Sequence, residues 1–354
     1  MKQLLSSLES VDPPFEETAM TLEERISEKL KASAIKVDWF IGGLLEPRRP
    51  EVLYNSAMHI VSAGGKRLRP YLVLKSCELV GGDPDSALPF AAAMEVLHNF
   101  TLIHDDIMDN DDLRRGVPTI HKLWGVPIAI VSGDLLFAKA YQAMVEPAVG
   151  GRLSCEQAVE CIRRVTEATI TICEGQTLDI SYSDVRGASE GDYFSMVGGK
   201  TSALFKACAE VGAIVGGGCA EEVAKIGSFA YDAAIAFQIV DDVLGVTSDV
   251  GTLGKPVGSD IREGKKTLIV IHALEQASPE EREIIEKALG AEDATPSEIE
   301  AAKNALRSAG GVDYAMAKAL KYAKKAEESL APFPESQAKL DLLELVEYFI
   351  KRSH

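Results

Sequence analysis

Leu102-Ile103-His104-Asp105-Asp106-Ile107-Met108-Asp109, running on to Arg114-Arg115-Gly116, is the stretch around which the chain is organised. Asp105 and Asp109 are one helical turn apart, so on a helix their carboxylates share a face, with Asp106 alongside. Bare like charges at that spacing repel, and the trio is costly unless cations sit between the carboxylates. Clustered oxygen donors suit a hard divalent ion, Mg2+ above all, which keeps several waters and takes one or two carboxylates plus phosphate oxygens. Two arginines follow at once and can grip phosphate in bidentate fashion. Carboxylates for metal and guanidinium groups for phosphate, this close together, read as a diphosphate site. Taken alone, Asp-Asp-x-x-Asp reads as well as a solvated acidic helix end. The apolar setting, Phe100-Thr101-Leu102-Ile103 before it and Ile107-Met108 within it, weighs against that reading.

Outward from this stretch, His98 lies two helical turns before Asp105 and so on nearly the same face, in reach of a phosphate oxygen. Glu95-x-x-His98 is half of a di-iron bundle signature, but no second Glu-x-x-His occurs. Val61-Ser62-Ala63-Gly64-Gly65-Lys66-Arg67-Leu68-Arg69-Pro70 sets three cations beside a glycine pair, either an ordered anion-binding turn or a basic surface turn. Glu174-Gly175-Gln176-x-x-Asp179 and Gly198-Gly199-Lys200-Thr201 add polar groups in apolar surroundings, and neither decides anything alone. The acidic theme then returns in Phe237-Gln238-Ile239-Val240-Asp241-Asp242-Val243-Leu244-Gly245, trailed by Gly254-Lys255-Pro256-Val257-Gly258-Ser259-Asp260. Two such helices facing each other would form a carboxylate-lined mouth over an apolar pocket.

The apolar spacing is helical from Leu22 onward (Leu22, Ile26, Leu30, Ile35, Val37, Phe40), broken by proline and glycine clusters, with no alternating run and no glycine-rich strand-to-helix fingerprint. The expected fold is all-helical: a loosely held extension over 1–20 and one helical domain over 21–354. With 354 residues, 46% of them apolar, the chain can bury a substantial core. No window of about 18 uncharged apolar residues stands out, and the opening residues lack a secretory signal. Cys77, Cys155, Cys161, Cys173, Cys208 and Cys219 form no Cys-x-x-Cys pair and read as buried thiols of a reducing cytoplasm. A net charge of −17 argues against a nucleic-acid partner. It also conflicts with an anionic substrate unless metals and clustered cations invert the field locally.

Two aspartate-rich helices, a Gly-Lys-Arg-x-Arg-Pro turn and a Gly-Lys-x-x-Gly-x-Asp loop occur in the order found in the trans-isoprenyl diphosphate synthases, and the chain resembles that family over roughly residues 25–352. The resemblance implies a helical bundle around a deep cavity, assembled as a homodimer and using roughly two to three Mg2+ ions per site. It implies that Asp105, Asp106 and Asp109 hold Mg2+ on the allylic diphosphate, and that Asp241, with Asp242, holds a further ion from the opposite wall. Arg114, Lys200 and Lys255 fall where the family grips the allylic diphosphate, with Thr201, Gln176 and Gln238 as polar wall groups. Gly65, Lys66, Arg67, His98 and Arg115 fall where it binds isopentenyl diphosphate. One departure matters: the second motif usually ends in a third aspartate, and here that position is Gly245.

The chemistry implied is ionisation of an allylic diphosphate, attack on the carbocation by the isopentenyl double bond, and proton loss. A terpene cyclase would not require the second basic site of Gly65–Pro70, and the acidic motifs of a head-to-head synthase are absent. A non-enzymatic helical metal-binding protein would bind metal without releasing diphosphate. Phe100 lies about 7.5 Å along a helix from Asp105, a reasonable depth for the floor of a tail pocket, although the rotation also suits a core phenylalanine. Phe100, Thr101 and the lack of an insertion in the first motif resemble archaeal-type geranylgeranyl diphosphate synthases. A farnesyl or bifunctional farnesyl/geranylgeranyl synthase is the alternative.

Overall fold

The computed structural model describes residues 20–182, 188–247, 259–291 and 293–351. Lys255 lies outside them, as do residues 1–19. In chain order the elements are α1 (Leu22–Leu44), α2 (Glu51–Ser62), α3 (Leu68–Leu79), α4 (Pro84–Met108), β1 (Leu113–Arg114), β2 (Val117–Pro118), α5 (Ile120–Trp124), α6 (Val126–Val149), α7 (Cys155–Tyr182) and α8 (Glu190–Val197). A π-helical turn (Gly198–Ser202) follows, then α9 (Ala203–Val215), α10 (Ala220–Thr247), α11 (Ser259–Arg262), α12 (Leu268–Gln276), α13 (Pro279–Ala288), α14 (Pro296–Ser308), α15 (Gly311–Leu330) and α16 (Gln337–Lys351). The all-helical expectation holds.

Several helices start where side chains satisfy the free N–H groups of the first turn. Thr21 with Glu24, Ser189 with Asp192, Ser278 with Glu281 and Thr295 with Glu298 form reciprocal capping boxes. Asp83 caps α4 ahead of Pro84. The two helices that carry the acidic motifs are each enclosed by several neighbours. α4 packs against α1, α3, α6 and α9, and α10 against α9, α15, α16 and the π-turn. Phe90, Met94 and Leu97 of α4 are sealed from solvent, each contributing roughly 1.5–3 kcal/mol by burial. A Cβ on Gly212 of α9 would lie 2.1 Å from the carbonyl oxygen of Val73, so glycine is what brings α9 onto α3.

One feature departs from the helical pattern. β1 and β2 form a minimal antiparallel hairpin, with Arg114 opposite Val117. Its central residues Arg115 and Gly116 both take positive φ, 53° and 79°, the turn geometry that matches strand twist. Two helices, α6 and α10, are long and apolar enough to cross a membrane by length and composition alone, although both carry charged residues, Asp134 and Lys139 in the one and Asp232 in the other. Most of that stretch of α10 is buried inside the fold.

Candidate active site

The first acidic wall is the last turn of α4 together with its C-cap, Asp109. The three aspartates do not act alike. Asp105 Oδ1 accepts from Gln176 Nε2 at 2.9 Å and lies 3.3 Å from Lys200 Nζ. Asp106 is turned inward, 2% exposed, and accepts from Arg114 Nε at 2.7 Å. Burial pushes its carboxyl up despite that hydrogen bond. Burial, and then the charge of Asp105, push Asp109 up to about 6. An all-oxygen donor set that resists its own charge fits a hard cation such as Mg2+. The placement of Asp106 differs from the expectation of a metal-facing trio: its hydrogen bond from Arg114 ties it to the hairpin.

Gln176 and Lys200 reach Asp105 because α7 and the π-turn touch backbone to backbone. A Cβ on Gly175 would lie 2.3 Å from the Lys200 nitrogen, and one on Gly199 would lie 2.8 Å from the Gly175 Cα. Such π-turns are frequent at functional positions. Lys200 Nζ also bonds Asp179 Oδ2 at 2.6 Å. Burial pulls this ammonium down, and the charges of Asp105 and Asp179 more than reverse the effect, so it stays protonated.

On the second wall, Asp242 is nearly buried, and both its oxygens are engaged: Oδ2 accepts from the Tyr193 hydroxyl at 2.6 Å and Oδ1 from Gln238 Nε2 at 3.0 Å. Gln238 Oε1 in turn accepts from Thr201 at 3.0 Å. Burial pushes Asp242 up to about 7. It ties α8, α10 and the π-turn together, whereas Asp241, one position earlier, is partly exposed.

The hairpin sends its arginines to opposite sides. Arg114 meets Asp106 and Asp111. Arg115 donates to the Gly64 carbonyl and approaches Asn99. Gly65 leaves room for it, since a Cβ there would lie 2.9 Å from the Arg115 guanidinium carbon. Arg67 does not match its sequence expectation. It is 3% exposed and gives its donors to Asp38, Glu95 and the Gly64 and Val61 carbonyls. Lys66 turns towards Tyr348, where it and Gly65 line a separate cleft. Of the three cations of this turn, the one that reaches the central cavity is Arg69, whose buried Nε has no hydrogen-bond partner. The sequence places Arg69 in the basic turn, while the resemblance assigns the substrate contacts to Lys66 and Arg67 instead. Burial, then the charges of Arg69 and Arg115, hold the neighbouring His98 imidazole well below its ordinary value, hence neutral.

Arg69, His98, Asp105, Gln176 and Lys200 share a cavity of about 360 Å3 with apolar walls that include Ile172, Leu204 and Phe100. Phe100 packs edge-on against His104 and, at 5.3 Å, against Phe137.

Residues 50–306 match the polyprenyl synthetase family. The chain is 44% identical over 278 residues to a geranylgeranyl diphosphate synthase of Sulfolobus acidocaldarius, covering 78% of this chain and 83% of that protein. It is 39% identical over 309 residues to a geranylfarnesyl diphosphate synthase of Aeropyrum pernix, covering 86% and 95%. A crystal structure of geranylgeranyl pyrophosphate synthetase from Pyrococcus horikoshii superposes with a TM-score of 0.87 at 41% identity, covering 94% of this chain and all of that one. The matched stretch holds both acidic walls, the hairpin and the π-turn that joins them, and the chain belongs to the polyprenyl synthetase family, as a prenyl-transferring enzyme.

Proposed function

We propose that this enzyme extends dimethylallyl, geranyl and farnesyl diphosphates with isopentenyl diphosphate and stops at geranylgeranyl diphosphate. The observation that carries the reading is the apolar cavity that opens beside Asp105 and Lys200 and has Phe100 in its wall. Asp105 and Asp109 would hold Mg2+ from one wall and Asp241 from the other, and the bound metal would neutralise charge on the leaving diphosphate. Lys200 and Arg114 donate to the same developing charge, a role that extends to Lys255 by resemblance. Arg69, Arg115 and neutral His98 orient the second diphosphate. The allylic C–O bond breaks with its electron pair leaving on diphosphate. The isopentenyl double bond forms the new C–C bond, and the proton lost passes to the released diphosphate. Ile172, Leu204 and Phe100 keep water from the cation, and no side-chain nucleophile is needed.

The test is the product distribution from dimethylallyl and isopentenyl diphosphates with Mg2+, read by chromatography after dephosphorylation. Geranylgeraniol with some farnesol is expected. Phe100→Ala should shift products to longer chains by opening the cavity towards Phe137, with the Mg2+ requirement unchanged. A wild-type product that is all farnesol or mostly geranylfarnesol overturns the assignment of length. Unaltered lengths in an active Phe100→Ala enzyme make Phe100 a core residue only.

A further inference from the structure

Position 245 follows Asp241 by one helical turn and faces the same side of α10. A glycine inside a helix costs roughly 0.5–1 kcal/mol relative to alanine, so its presence calls for a local reason. The surroundings supply one. A Cβ built on Gly245 would lie 2.6 Å from Oδ2 of Asp260 and 3.5 Å from its Cγ. A carboxylate oxygen lies about 2.4 Å from the Cβ of its own residue, from ordinary C–C and C–O bond lengths. Asp260 therefore holds an oxygen at nearly the distance from position 245 at which an aspartate there would hold its own.

Asp260 is fixed in this place from behind. Its neighbour Ile261 is 2% exposed in the core that α10 shares with α12, α14 and α15. The Ile261 carbonyl accepts from the Gly290 N–H at 2.8 Å. Asp260 Oδ1 meets Lys265 Nζ at 3.1 Å, while Oδ2 is the atom turned towards Gly245. A carboxylate held by its backbone and by one cation is preorganised rather than freely rotating.

We propose that Asp260 supplies the third carboxylate of the α10 wall, and that Gly245 is the residue that admits it. The inference rests on the reading of that wall, led by Asp241, as a holder of divalent metal. It explains how the wall keeps its acidic character although the aspartate expected at position 245 is missing. The carboxylate arrives from α11, across space, instead of from the next turn of α10.

The experiment moves the carboxylate. Mn2+ replaces Mg2+ and is titrated into the full-length chain with inorganic diphosphate in excess, free Mn2+ being read by electron paramagnetic resonance. Asp260→Asn keeps the shape and removes the charge. It should weaken the most loosely held ion roughly ten- to a hundredfold, with circular dichroism unchanged. Asp260→Ala should weaken it likewise, and Gly245→Asp combined with Asp260→Ala should return the affinity to within about threefold of wild type. Unchanged Mn2+ affinity in Asp260→Asn overturns the proposal, and so does a folded double variant that binds no better than Asp260→Ala. Should the double variant not fold, Asp260→Asn decides alone. A wild-type chain that takes up no Mn2+ beyond what diphosphate itself carries removes the metal reading of the wall. That outcome is distinct from a wild type that binds and an Asp260→Asn that binds equally.

Discussion

Arg67 and Arg69 stand two positions apart in one basic cluster and face different surroundings. Arg67 pairs with Glu95 at 3.0 Å, and both are buried. Arg67→Ala would remove one partner of this buried ion pair, a loss of roughly 3–5 kcal/mol that thermal unfolding should register. Arg69→Ala removes a cation from the cavity and should leave the melt nearly unchanged. It should raise the Michaelis constant for isopentenyl diphosphate more than that for the allylic substrate, by on the order of 1.5–3 kcal/mol for a charge-assisted contact. Equal weakening of both substrates would show a general field rather than a site. Asp242 makes a second prediction at this scale. Its ordinary value is 3.8, and burial pushes it up to about 7. Between those values the folded chain keeps a proton that the unfolded chain has lost, so this group's contribution to stability falls as pH rises through the window. Metal-free protein should melt a few degrees lower at pH 8 than at pH 5, and Asp242→Asn should flatten that difference. An equally steep dependence in the variant would place its origin elsewhere. The spacing of Asp105 and Asp109 was legible because one helix decides it. The division of labour between Arg67 and Arg69 was not, because Asp38 and Glu95 lie on other helices.

Helices were readable from caps and apolar period, yet the two elements that aim the site are not ordinary helix. The hairpin at Arg115 and Gly116 turns adjacent arginines to opposite sides, an outcome that no helical reading of the stretch contains. The π-turn at Gly198–Ser202 exists in partnership with Gly175, some two dozen residues earlier, and a glycine pair that distant carries no local signal. Its importance can be measured. Gly175→Ala would set a methyl group 2.3 Å from the Lys200 nitrogen, and backbone has no free direction in which to yield. Such overpacking costs typically about 1–3 kcal/mol, and Lys200 would move away from Asp105. Both the melting temperature and turnover should fall. Full turnover in a destabilised variant would mean that the turn is needed for stability and not for aim.

At the scale of the whole molecule, α6 buries Leu136, Ala140 and Met144 against the core and exposes Val126, Ile130, Val131, Val145 and Val149. Val159 and Ile170 of α7 are exposed as well. A face this apolar suits contact with a second copy of the chain, the homodimer expected from the family resemblance. Ile130→Asp with Val131→Asp should convert a dimer to monomer in sedimentation, whereas a monomeric wild type would end the idea. The paired charges at the mouth have a consequence of their own. Lys200 lies against Asp105, and Arg114 against Asp106. A diphosphate arriving bare would draw off the lysine and arginine and strand the aspartates. A metal ion arriving bare would take Asp105 from Lys200, which keeps Asp179 as its partner at 2.6 Å. When the two arrive together, the metal would replace Lys200 at Asp105 and the diphosphate would engage the lysine. The mouth is thereby better matched to the metal and the diphosphate as a pair than to either alone.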